Sequence, residues 1–222
     1  MKLCSHNPDS KVSIEVVAFD CDGVLFDSRE ANVRFYNHIL DRMGAPLVKS
    51  EQHEYIHMHP VRESLHYLLG NGQRFQKAFS YSQTIDFKEF NVCLSCEPGL
   101  VDILTMAKSS FKIALATNRT MSTREVLAHF HLDQYFDLVV TASDVARPKP
   151  HPEEMDRIAE TFGVLHEQIL YIGDSTVDQE LAEATGVFFV AYKNPELKAH
   201  LHIAHFNELV PVLESQTKNR MR

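Results

Sequence analysis

Four short polar clusters hold the residues of this chain that could do chemistry. Asp20 and Asp22 flank a cysteine and precede Gly23, Thr117 and Asn118 stand side by side, Lys149 lies between two prolines, and Asp174, Ser175 and Asp178 follow Gly173. Closely spaced carboxylates suit covalent catalysis, acid–base work or the oxygen coordination of a hard dication. A lysine with a hydroxyl and an amide suits an anion, above all a phosphoryl group whose charge must be stabilised during transfer. Each cluster also has an ordinary reading. Asp174-Ser175 could cap a helix, Thr117 could cap the helix containing Val126, and Lys149 could sit in exposed loop. What separates the readings is whether one scaffold gathers all four.

The scaffold follows from hydrophobic pattern. Residues 14–19 (IEVVAF) form a short apolar, β-branched run that ends abruptly at Asp20, which reads as a buried parallel strand. Residues 111–116, 138–141, 169–172 and 187–191 repeat the pattern. Between them apolar residues recur at helical spacing: Leu100, Ile103, Leu104 and Ala107, then Met155, Ile158, Ala159 and Phe162, then Val177, Leu181 and Ala184. Pro98-Gly99 and Pro152 stand where helices should start. Strands alternating with helices predict an α/β fold with a doubly wound parallel sheet. Ligands of such sheets bind beyond the carboxyl ends of the strands, where all four polar clusters fall. The ordinary readings would need four coincidences at one sheet edge, and they are set aside for Asp20, Asp22, Lys149 and Asp174.

Residues 28–97 break the alternation with helical pattern and no convincing strand. Phe35, Ile39 and Met43 repeat every four residues, Val61, Leu65, Leu68 and Leu69 make a second stripe, and Phe75, Ala78, Phe79 and Ser82 a third. Gly44-Ala45-Pro46 and Gly70-Asn71-Gly72 punctuate them. The expected organisation is a core of residues 1–27 and 98–222, with a helical domain of residues 28–97 inserted after the first strand. That insertion point puts the helices over the carboxyl edge as a lid, with hinges near 26–28 and 96–99.

Composition narrows the partners. The chain has 222 residues, 44% hydrophobic and 23% charged, in the ordinary globular range. No apolar run approaches the roughly 18 residues of a membrane span. Residues 1–10 lack the apolar stretch of a secretory signal, so a cytoplasmic location is the default expectation. A formal charge of -8 without a basic stripe argues against nucleic acid. It would also repel an anionic substrate unless a metal or local cations offset it. Cys4 and Cys21 are isolated, and Cys93 and Cys96 form a lone C-x-x-C that reads as reduced thiols rather than a zinc site. His53, His57, His59 and His66 fall close together but lack an acidic partner at metal spacing, so they read as surface residues.

Taken in order, the clusters resemble the four motifs of the haloacid dehalogenase superfamily: Asp20-Cys21-Asp22-Gly23-Val24-Leu25-Phe26-Asp27-Ser28, Thr117-Asn118, Arg147-Pro148-Lys149-Pro150 and Gly173-Asp174-Ser175-Thr176-Val177-Asp178. The branch resembled is that of phosphoglycolate phosphatase and β-phosphoglucomutase, which carry a helical cap after the first motif. The resemblance implies a Rossmann-like core, an all-helical cap, and a Mg²⁺-dependent phosphatase that hydrolyses a small phosphorylated metabolite through an aspartyl-phosphate. Under it, Asp20 is the nucleophile and Asp22 the acid and then the base. Asp20, Asp174 and the main-chain carbonyl of Asp22 hold the metal, and Asp178 orients a ligand or the metal waters. Thr117 and the Asn118 N–H grip the phosphoryl oxygens, and Lys149 adds positive charge. Arg62, at the start of a cap helix, is a candidate for gripping the far end of the substrate, although it also fits a solvated helix-start arginine. Arg119 is a further candidate for facing the site.

Two other outcomes stay open under this resemblance: a phosphomutase, whose intermediate waits for a sugar hydroxyl, and a non-catalytic binding protein on the same fold. A dehalogenase is disfavoured by the presence of both Asp22 and Asp174. A phosphonatase is disfavoured because residues 28–44 contain no lysine for a Schiff base.

Overall fold

The computed structural model describes residues 13–86, 88–120 and 122–220. The expectation for residues 1–10, and Cys4 with it, lies outside the described residues. In chain order the elements are β1 (Val16–Phe19), β2 (Phe26–Asp27), α1 (Arg29–Arg42), α2 (His53–Met58), α3 (Val61–Leu69), α4 (Gln73–Ser82), α5 (Lys88–Asn91), β3 (Ser95–Cys96), α6 (Leu100–Lys108), β4 (Lys112–Thr117), α7 (Thr123–His129), β5 (Leu138–Thr141), α8 (Glu153–Phe162), β6 (Ile169–Gly173), α9 (Thr176–Thr185), β7 (Phe188–Tyr192), β8 (Leu201–Ile203) and α10 (Val210–Arg220).

Six strands make one parallel sheet in the order β5-β4-β1-β6-β7-β8. The five expected strands are all present. β8 is an addition at the edge, where Leu201-His202-Ile203 is too short to show a pattern. Alternation along β1 explains the two layers. Val17 and Phe19 face a cluster containing Ile103 and Leu104 of α6, Val126 of α7 and Leu213 of α10. Val16 and Ala18 face Met155 and Ile158 of α8 and Leu181 of α9. With both faces covered, these strands are apolar throughout, as parallel strands must be.

Between β2 and β3 run α1 to α5, and the apolar stripes of α1, α3 and α4 (Phe35 and Ile39, Leu65, Phe75 and Ala78) are buried in the same cluster as Val17 and Phe19. One expectation for this stretch needs correcting. Residues 28–97 do contain a strand, since β3 pairs antiparallel with β2 through Phe26↔Cys96 and Asp27↔Ser95. Two residues are too few for period-two alternation to be visible. The ribbon stands where the chain leaves and re-enters the sheet layer, and Glu97 is anchored beside it by the hydroxyl of Tyr192 at 3.0 Å. Among the described residues, no helix is long and apolar enough to cross a membrane. Cys21, Cys93 and Cys96 are free thiols.

Candidate active site

The site begins with strand register. β1 pairs with β6 so that Phe19 stands opposite Ile172, and the Asp20 N–H continues the ladder by donating to the Ile172 carbonyl at 2.8 Å. The first residue past β1 is thereby placed beside Gly173, the last of β6. Asp174 and the start of α9 follow directly. Ser175 caps that helix, its hydroxyl accepting the Asp178 N–H at 3.3 Å. The capping role allowed for Asp174-Ser175 is therefore real, and it orients the acids rather than replacing their chemistry.

Lys149 arrives from the loop before α8. Its Nζ donates to Asp20 Oδ1 and Asp178 Oδ1, each at 2.8 Å, and to the Tyr171 hydroxyl at 3.0 Å. That uses all three ammonium protons, and only 4% of the residue is exposed. Burial alone would lower the lysine pKa, but Asp178 and Asp20 drive it well above its ordinary value. The exposed-loop reading of Lys149 is excluded.

Asp178 sits beneath the lysine. Its Oδ1 accepts from Lys149 and from Tyr171 at 2.5 Å, and its Oδ2 accepts the main-chain N–H groups of Asp174 and Ser175 and the Ser175 hydroxyl at 2.6 Å. Both oxygens are thus engaged within the protein. Asp20, Asp174 and Asp178 each bring an oxygen within 4.8 Å of the others. Burial, reinforced by Asp178, pushes Asp20 up to about 7 despite Lys149, and burial with Asp178 and Asp20 carries Asp174 well above the carboxylate range. Hard oxygen donors that repel one another fit a cation such as Mg²⁺, which restores their ionised forms. Since Asp178 is committed elsewhere, Asp20 and Asp174 are the side chains free to hold it.

Gly23 makes room for this arrangement. Its φ of +83° belongs to the left-handed region, and a Cβ there would lie 2.1 Å from Asp174 Oδ2. Only glycine satisfies both constraints.

Asp22 takes a different partner. Arg119 Nη1 donates to Asp22 Oδ1 at 2.8 Å and Arg119 Nε to Ser122 Oγ at 3.0 Å. Burial is the largest influence and would raise the Asp22 pKa, but the Arg119 guanidinium and smaller contributions from neighbours including His57 together hold the carboxyl below its usual value. Arg119 does face the site, yet its guanidinium is spent on Asp22 and Ser122.

Thr117 does not cap α7; its Oγ1 accepts the Arg119 N–H at 3.1 Å at the end of β4. Asn118 Nδ2 donates to the Met58 carbonyl at 2.9 Å and the Lys149 carbonyl at 3.1 Å, tying α2 to the sheet edge. Asp20, Asp22, Thr117, Asn118, Arg119, Lys149 and Asp174 line one cavity of about 40 Å³, closed above by residues of α1 and α2. Arg62 is the exception. It is exposed on α3, its guanidinium 5.1 Å from the Phe79 ring centre, outside this cavity. The structure does not bring Arg62 to this cavity with the other expected site residues: α3 turns that face onto the aromatic rings of α4.

Three participants escaped the sequence reading. Tyr171 shows one signal, a hydroxyl in an otherwise aliphatic buried strand. Glu154, fully buried in the first turn of α8, accepts the Lys149 N–H at 3.4 Å and looks from sequence like surface helix. His57 lines the cavity instead of the surface.

A haloacid dehalogenase-like hydrolase family model matches residues 17–192. A phosphorylated carbohydrates phosphatase from Thermotoga maritima is 30% identical over 182 residues, spanning 78% of this chain and 82% of that protein. A phosphoglycolate phosphatase from Colwellia psychrerythraea is 25% identical over 196 residues, spanning 78% and 81%. The crystal structure of a HAD-superfamily hydrolase, subfamily IA, from Geobacter sulfurreducens superposes with TM-score 0.79 at 38% identity, covering 90% of this chain and all of that one.

Two consequences can be measured. Gly23→Ala should cut turnover at least tenfold by displacing Asp174, and a variant with unchanged kinetics would show that the close approach is unimportant. Glu154 is the second. Burial pushes its carboxyl from 4.5 up to about 8 against the pull of Lys149. The folded state then keeps a proton that the unfolded state releases, so stability is lost as pH rises from about 4.5 to about 8. Glu154→Gln should gain roughly 3 to 5 kcal/mol on wild type between those limits, read by denaturant unfolding at several pH values. A pH-independent difference would contradict the burial argument.

Proposed function

The chain belongs to the haloacid dehalogenase-like hydrolase family, and on that premise we propose that it is a Mg²⁺-dependent phosphatase that hydrolyses a small phosphorylated metabolite through an aspartyl-phosphate on Asp20. One observation carries the reading: the carboxylate at the end of β1 is paired at 2.8 Å with a buried lysine, in a cavity that Asp174, Thr117 and Asn118 also line. The relatives named for phosphorylated carbohydrates and phosphoglycolate support the reaction class.

In the first half-reaction an oxygen of Asp20 attacks phosphorus and the bond to the leaving oxygen breaks, giving an acyl phosphate and an alcohol. A carboxylate needs no base to act as nucleophile. Lys149 fixes the other Asp20 oxygen's direction and offsets charge on the transferring group. Thr117 and the Asn118 N–H receive phosphoryl oxygens. Asp22 protonates the leaving oxygen, then takes a proton from the water that attacks the acyl phosphate and releases inorganic phosphate. Arg119 is the positioning residue for Asp22: it favours the ionised form that the second half-reaction requires, while the proton delivered in the first is taken up as the anionic phosphoryl group enters and raises the Asp22 pKa against that bias. Asp20, Asp174 and the Asp22 main-chain carbonyl would hold Mg²⁺, which when bound offsets the negative charge of carboxylates and phosphoryl oxygens alike. Asp178 holds Lys149 and the 174–175 backbone in place.

Residues 28–97 act in this reading as a cap over the core of residues 1–27 and 98–222. The β2/β3 ribbon is its hinge and the Asn118 bond to Met58 its latch. Closure excludes bulk water around the site. The working compartment in this reading is the cytoplasm, where the free thiols stay reduced.

Phosphate release from a panel of phosphorylated metabolites should require Mg²⁺ and stop on chelation. Asp20→Asn should lose at least a thousandfold, and Lys149→Ala about a hundredfold or more, equivalent to roughly 3 kcal/mol of barrier. A phosphoryl adduct should be trapped on the peptide containing Asp20. Undiminished activity in Asp20→Asn would remove the nucleophile, and an isomerised sugar phosphate without free phosphate would redirect the reading to a phosphomutase.

A further inference from the structure

His57 stands where two spaces meet. It lines the 40 Å³ cavity and also a neighbouring one of about 470 Å³, together with Asn32 of α1 and Met58. The smaller space has room for about three water-sized groups, which matches the non-bridging oxygens of one phosphoryl group. Whatever is attached to that phosphorus must extend past His57 into the larger space.

The chemistry of the histidine follows from its neighbour. Asn32 Nδ2 lies 3.1 Å from His57 Nδ1. An amide nitrogen can only donate, so Nδ1 accepts and the neutral ring carries its proton on Nε2. Burial keeps the ring's pKa below its ordinary value against the pull of Asp22, consistent with a neutral ring. Nε2 is buried and has no hydrogen-bond partner. An N–H donor buried without an acceptor is costly, and native structures retain one where something further supplies the acceptor.

Building on the phosphatase reading, we propose that His57, oriented by Asn32, selects the leaving group: its Nε2–H donates to an acceptor oxygen, hydroxyl or carboxylate, on the carbon next to the ester carbon. The substrate class is a phosphomonoester of a small, oxygen-rich leaving group. A purely alkyl leaving group would leave the donor unanswered.

The test compares kcat/KM in Mg²⁺ for ethyl, 2-hydroxyethyl and carboxymethyl phosphate. The enzyme should prefer an oxygen-bearing ester to ethyl phosphate about tenfold, equivalent to about 1.4 kcal/mol. The larger of the two preferences identifies a hydroxyl or a carboxylate as the acceptor. His57→Phe should bring the ratio close to one. Asn32→Leu provides an independent variant: without the amide donor nothing holds the ring proton on Nε2, and the preference should shrink. A wild-type ratio near one overturns the proposal, as does a ratio that survives either substitution in folded protein. A folded His57→Phe that is inactive towards all three esters overturns it too, by moving the residue from recognition into the chemistry. Failure of wild type to release phosphate from any ester, including an aryl phosphate, sinks the phosphatase reading itself and this proposal with it.

Discussion

A lysine ammonium buried among carboxylates is the constraint that the rest of the structure serves. Removing an ion from water costs several kcal/mol even after relaxation, so Lys149 is tolerable only with every proton matched. Its partners come from separate segments: Asp20 after β1, Tyr171 from β6 and Asp178 from α9. Tyr171 and Asp178 lie seven residues apart, but Asp20 and Lys149 come from distant segments and meet them only through the sheet. Adjacent placement of β1 and β6, with Phe19 opposite Ile172, is therefore a requirement of the ion cluster as much as a feature of the fold. The same demand explains Gly173, where a Cβ would lie 2.5 Å from Asp178 Cβ. A side chain there would push away the carboxylate that anchors the lysine.

Charge balance gives this cluster a second meaning. The chain as a whole is acidic, at -8, and three of its carboxylates converge on one edge of the sheet. Left to themselves they would take up protons, as the elevated Asp20 and Asp174 values indicate. One lysine answers part of that repulsion and fixes the direction of Asp20 in doing so. The remainder is the electrostatic room for a dication and for the anion that accompanies it. Asp22 stands apart from the group because Arg119 supplies it with a private counter-charge. Two carboxylates separated by one residue thus live in opposite environments, one pushed up and one held down. On the proposed function, a dication beside Asp20 and an anion beside Asp22 would reverse both biases, leaving Asp20 ionised to attack and Asp22 able to carry a proton.

The sequence showed the sheet and the four clusters because parallel strands buried on both faces leave uninterrupted apolar runs, each ending where the chain meets polar space. It did not show β8 or the β2/β3 ribbon, because three and two residues cannot display a period. α2 (HEYIHM) is likewise too short for a helical stripe, and with it the placement of His57 was invisible. A histidine with three neighbours of its kind looks solvated until the loop geometry turns it inward. Arg62 lies away from the cavity for the mirror reason. Its position at a helix start said nothing about rotation, and the aromatic rings of α4 claimed its guanidinium. Glu154 could not be distinguished from the exposed Glu residues around it, since burial of a polar residue leaves no trace in pattern.

Asn118 joins these two kinds of information. Its main-chain position after β4 was legible, but its side chain spans the Met58 carbonyl of α2 and the Lys149 carbonyl of the core loop. Both donated bonds come from one amide nitrogen, so α2 and the lysine loop are held in register by a single group. Met58 directly follows His57, and Thr176 reaches the Met58 sulfur at 3.6 Å from the start of α9. Displacing α2 would therefore release the Asn118 amide, move His57 from the boundary between the two cavities and expose the loop carrying Lys149. On the proposed function, recognition of the leaving group and enclosure of the phosphoryl site become two results of seating one short helix. A substrate that fails to hold α2 down would then lose both together, which lets a small contact outside the phosphoryl cavity govern the chemistry inside it.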